Sequence, residues 1–119
     1  MSCDTTGVSA SFRFIYMTAG SLAEARLIAQ ALVAERLAAC VNLIDGMESH
    51  YEWEGEVQTA REIVLIAKTR ADLFDALKQR VLELHSYDCP CVVALDLSDG
   101  HPKFLKWIAA QTGPITPPR

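Results

Sequence analysis

Soft metal-ligand chemistry is concentrated between residues 85 and 91, where His85, Cys89 and Cys91 stand in the run His-Ser-Tyr-Asp-Cys-Pro-Cys. In an extended chain, thiolates at i and i+2 point to one side, and a histidine four residues earlier can close a three-ligand site. Two sulfurs with an imidazole suit Cu(I) or Zn(II). The same residues admit a plain structural reading, with Cys91 buried in a last strand and His85 a satisfied loop or interface histidine. Pro90 fixes its own φ and can turn the two thiols to different faces.

A second constellation is Glu48, His50 and Glu52, where alternate positions of a strand share a face and two of them can bridge a hard divalent ion. A solvated polar face explains the same alternation. A third is the aromatic set Tyr51, Trp53, Tyr87 and Trp107, assigned to a subunit contact or a pocket beside it. Catalysis is not expected. The chain has no G-x-S-x-G, no Gly-rich phosphate loop and no His-Glu-x-x-His, and Asp96 and Asp99 read as a polar loop.

The elements that position these residues follow from periodicity. Phe12 to Thr18 is aromatic and β-branched, as a strand should be. Ser21 and Glu24 have the spacing of a capping box, and an apolar stripe at helical spacing then extends the helix to residue 37. After Cys40, read as a small core thiol, Val41, Leu43, Met47, Tyr51 and Trp53 occupy odd positions of one long strand. Asp45-Gly46 marks a bend or bulge within it, and Glu54-Gly55-Glu56 a hairpin turn. The returning strand ends in Ile63 to Ala67, apolar without alternation and so covered on both faces. Thr69 with Asp72 caps a second helix bearing Leu73, Leu77, Val81 and Leu84. Cys91 to Leu97 is a last strand, and Pro102 opens a short third helix.

This order predicts an α+β, ferredoxin-like split βαβ fold (βαββαβ plus a C-terminal helix) with an antiparallel sheet and two helices on one face. The domain spans 12–111, between a flexible leader (1–11) and a Pro-rich tail (112–119). Because both helices cover one face while two strands are apolar on both, a second copy of the chain is expected on the other face.

Composition sets the partners. The 119 residues carry a net charge of −4, against a nucleic-acid partner, which needs a basic surface. No apolar run approaches the roughly 18 residues of a membrane span, so no membrane partner is expected. Met1-Ser2-Cys3-Asp4 has neither basic nor apolar character, so no secretory signal is read, and a cytoplasmic location with reduced thiols is expected.

The segments Leu37-Ala38-Ala39-Cys40-Val41-Asn42, Tyr51-Glu52-Trp53-Glu54-Gly55 and Val64-Leu65-Ile66-Ala67-Lys68-Thr69 resemble the CutA, or divalent-cation tolerance, proteins. So do Leu84-His85-Ser86-Tyr87-Asp88-Cys89-Pro90 and Phe104-Leu105-Lys106-Trp107-Ile108, so the resemblance covers about residues 12 to 110. It implies a non-enzymatic homotrimer with its sheets packed around the threefold axis, and copper binding in metal-ion tolerance, with zinc or another divalent cation as the alternative. Departures from the family pattern are Ser86 in place of proline, Cys91 in place of an acid, and Leu84 in place of a second histidine. Met17 stands where some bacterial members place a metal-binding cysteine, and its thioether keeps capacity for Cu(I). The expected metal set is therefore His85, Cys89, Cys91 and Met17. The rival expectation is a trimeric sensor or interaction module that takes a small ligand or protein partner in clefts between subunits.

Overall fold

The aromatic and β-branched run at the start forms β1 (Phe12–Ala19) in the computed structural model, which describes residues 11–114. Positions 1–10 of the expected leader and 115–119 of the tail lie outside the described residues. The chain continues as α1 (Leu22–Ala34), β2 (Cys40–Trp53), β3 (Glu56–Arg70), a 3-10 turn at Ala71–Leu73, α2 (Phe74–Leu84), β4 (Val92–Leu97) and α3 (Pro102–Ala110). The strands form one antiparallel sheet in the order β2-β3-β1-β4. This is the predicted ferredoxin-like arrangement.

One sheet face and the helices share the core. Ile15 and Met17 of β1, Leu65 of β3, Ile28 and Leu32 of α1 and Leu77 of α2 are all at most 1% exposed. Each such side chain contributes about 1.5–3 kcal/mol by leaving water. Cys40 is not among them. It is half-buried at the start of β2, paired with Lys68, because the core face of β2 belongs to its neighbours Val41 and Leu43.

Two of the expected caps differ. Ser21 accepts the Glu24 N–H at 3.2 Å, but Glu24 turns its carboxylate away to accept the Ser86 N–H at 3.2 Å, so only half of the capping box forms. Thr69 is no cap at all. It is fully buried in β3, and its hydroxyl donates to the Leu37 carbonyl at 2.7 Å, while Asp72 pairs with Arg70. At α3 the N-cap is His101, which accepts the Lys103 N–H at 3.1 Å, with Pro102 in the first turn. Helix α1 stops at residue 34 rather than 37. Arg36 adopts φ 60° and donates to the Ala110 and Gly113 carbonyls at 2.8 and 2.6 Å, which also ties the first residues after α3 to the domain.

The long hairpin holds the most consequential difference. Ile44 pairs with Val64 and Met47 with Glu62, so Asp45 and Gly46 stand opposite Ile63 alone. Gly46 takes φ 88°, which only glycine adopts without strain. One extra residue reverses the facing of everything after it. Val41 and Leu43 therefore pack against the core, whereas Met47, Tyr51 and Trp53 lie on the opposite side of the sheet. The odd positions read as one continuous face are two faces. At the tip, Glu54 (φ 52°) and Gly55 (φ 82°) form a two-residue turn of the kind that fits strand twist.

The sheet face away from the helices is apolar and open in the single chain. Pairing aligns Ile44 with Val64, Tyr16 with both Ile66 and Val93, and Phe14 with Leu95 across it. Ile44, Val93 and Leu95 are 55%, 49% and 52% exposed.

Candidate functional site

Beyond the bulge, the hairpin rises past the end of β1 and faces the loop that joins α2 to β4. A groove of about 670 Å³ lies between them. Tyr16 and Thr18 of β1 form its floor, and Met47, Ser49, Tyr51, Trp53 and Glu62 of the hairpin form one wall, with Glu52 beside them. Tyr87, Asp88, Cys89 and Cys91 form the other wall. None of these lining residues is basic.

Glu62 joins the walls. One carboxylate oxygen accepts the Tyr87 hydroxyl at 3.0 Å and the other accepts the Ser49 hydroxyl at 2.7 Å. On the floor, the Tyr16 hydroxyl donates to the Met47 sulfur at 3.4 Å. Burial, and then the bond to the Glu62 carboxylate, push the Tyr87 phenol up to about 12. Burial, and then the charge of Glu62, also push the Cys91 thiol up.

The loop is held in place by His85. Its ring is fully buried, and Nε2–H donates to the Thr18 carbonyl at 2.7 Å. With that proton on Nε2, Nδ1 accepts the Tyr87 N–H at 3.1 Å. The Glu24 carboxylate stands 3.2 Å from Nδ1, and the His85 and Tyr87 rings lie 4.7 Å apart. Gly20 gives Tyr87 its place: a Cβ there would lie 2.9 Å from the phenol oxygen.

The structure therefore does not assemble the expected metal set. Both nitrogens of His85 are engaged within the fold, and Met17 is 1% exposed on the core side of β1. Cys89, exposed, and Cys91, half-buried, do share the groove. Among the described residues, no three of His, Cys, Asp and Glu stand close enough to hold a metal ion. Glu48, His50 and Glu52 do not form one either: His50 Nε2 lies 2.6 Å from Glu48 and Nδ1 lies 3.2 Å from Thr59, all in solvent. Of the aromatic set, Tyr51, Trp53 and Tyr87 come together, while Trp107 lies on α3, stacked on Phe104 at 5.6 Å.

Sequence reasoning missed Glu62, the centre of the groove, and Tyr16, Met47 and Ser49 around it. A signal was present, since Glu62 is a lone acid abutting the apolar run Ile63–Ala67. Its facing, however, depends on the bulge.

Comparison with known proteins follows the same lines. A family model described as CutA1 divalent ion tolerance protein matches residues 13–111. The chain is 46% identical over 99 residues to the Divalent-cation tolerance protein CutA of Thermus thermophilus, covering 83% of this chain and 96% of that one. The solved Thermus structure aligns with a TM-score of 0.84 at 44% identity, over 86% of this chain and 99% of that one. Rice Protein CutA 1, chloroplastic, is 40% identical over 109 residues, and this chain spans 92% of itself but 62% of that protein. The solved rice CutA1 aligns with a TM-score of 0.85 at 42% identity, over 87% and 94% of the two chains. A CutA of Archaeoglobus fulgidus, described as periplasmic, aligns with a TM-score of 0.80 at 42% identity, over 82% and 94%.

Proposed function

This chain belongs to the CutA1 divalent ion tolerance family, and on that premise we propose that it is a non-enzymatic, homotrimeric metal-ion-binding protein serving metal tolerance. Copper is the proposed ion, with zinc second, and the Cys89 and Cys91 thiols at the groove wall are the proposed ligands. The observation that carries this reading is the sharing of one acid-lined groove by two thiols, with no basic residue among its lining. Paired thiolates favour Cu(I) over harder ions. His85 and Met17 keep structural roles, the first as the bracket of the loop and the second as core.

The threefold assembly is proposed to cover the open sheet face. A contiguous apolar surface containing Ile44, Val93 and Leu95 gains most by meeting its own copy. The groove then lies beside a subunit junction. A cytoplasmic site of action suits free thiols, which a reducing compartment preserves. Among the described residues, no helix is long and apolar enough to cross a membrane.

Calorimetric titration with Cu(I), Cu(II) and Zn(II) tests the metal role. The parent is expected to take up copper, and the paired Cys89→Ser and Cys91→Ser variant to lose it. Absence of uptake by the parent overturns the role, and full uptake by the variant overturns the ligand assignment.

A further inference from the structure

We propose that the groove is a receptor for small organic ammonium cations, which sit over the rings of Tyr51, Trp53 and Tyr87 and are balanced by the charges of Glu52, Glu62 and Asp88. This goes beyond metal binding, because it uses different atoms of the same groove.

Glu62 is fixed in the groove by two hydroxyl donors, which bind its two oxygens at 3.0 and 2.7 Å and leave one lone pair on each. A cation whose charge is spread over alkyl groups needs no inner-sphere oxygen. It is stabilised at a distance by the carboxylates and directly by the faces of aromatic rings. The groove supplies both, with four aromatic rings counting Tyr16 on the floor, three carboxylates and no basic lining residue. Its volume of about 670 Å³ admits such a molecule and falls within the usual range of ligand sites, roughly 300–1,000 Å³. In the single chain, Trp53 and Tyr51 are 54% and 45% exposed at the hairpin end, so their ring faces are not taken up by the chain's own core.

The probe is tetramethylammonium, titrated into the native assembled protein while the Trp53 indole resonance is followed by NMR. A saturable shift is expected, and tert-butanol, similar in bulk but uncharged, is expected to produce none. Trp53→Ala and Glu62→Gln should each weaken binding by about tenfold, the measure of losing a cation–π partner or a close charge. Both sites are compatible with folding, the first because it is exposed and the second because the amide keeps Glu62's shape and one carbonyl acceptor. The paired Cys89→Ser and Cys91→Ser variant should bind tetramethylammonium as the parent does, which separates this result from the fate of the metal reading. No saturable shift, an equal response to tert-butanol, or undiminished binding by Trp53→Ala overturns the proposal.

Discussion

Tyr87 donates its hydroxyl to Glu62 at 3.0 Å, and this one bond closes the α2–β4 loop onto the long hairpin across 25 positions of sequence. The folded chain holds the Tyr87 proton to about 12, against 10.0 for an ordinary phenol. The contribution to stability is complete below pH 10 and is lost as pH rises from there through about 12. Ultraviolet titration of the folded protein should show a phenol ionising near 12. In Glu62→Gln that phenol should ionise lower, and superimposable curves would contradict the coupling.

Gly20 is required by Tyr87 rather than by its own backbone. In Gly20→Ala the new methyl, 2.9 Å from the phenol oxygen, must push the ring off Glu62. Destabilisation of about 1–3 kcal/mol is expected, the usual cost of overpacking. Adding Tyr87→Ala should remove most of that penalty, because the two residues are in contact. Denaturant unfolding of the single and double variants measures the coupling, and strictly additive effects would show that the clash is elsewhere.

His85 is expected to matter for folding rather than as a ligand. His85→Ala leaves the Thr18 carbonyl and the Tyr87 N–H without their partner and opens a cavity beneath the loop. A loss of about 2–4 kcal/mol is expected in denaturant unfolding, with copper uptake per folded chain unchanged. A stable variant that has lost its copper would reverse this assignment.

The order of elements was legible in the sequence because each carries its own periodicity and its own breaker, as with Ser21 before α1 and Pro102 at α3. The site was less so. His85, Cys89 and Cys91 are close in sequence and suggested a shared ligand field. The α2 terminus instead turns His85 inward to Thr18, while the loop before β4 carries Cys91 to the groove. Asp45-Gly46 reads as a bend or bulge from the sequence, but alternation alone does not say which side the following residues take. That reversal brings Met47, Tyr51 and Trp53 to the groove, and it is a property of pairing between β2 and β3. Thr69 was read as a cap from local spacing, and its bond to Leu37, 32 residues away, is of the kind no local pattern reveals.

The open sheet face gives a prediction for assembly. Leu95, 52% exposed beside Phe14, is expected to lie within the subunit contact. Leu95→Glu should convert a particle of three times the 13.1 kDa chain mass into single chains in sedimentation equilibrium, because a buried unpaired charge is not tolerated there. A parent that sediments as single chains would refute the threefold assembly, and an unaltered trimer in the variant would move the contact elsewhere.

The most direct measurement is an anomalous difference map at the copper edge from crystals grown with copper. The account predicts a peak within thiolate bonding distance of Cys89 and Cys91, on the groove wall of each subunit, with His85 still bonded to Thr18. A peak at His85, or none on any sulfur, would contradict it.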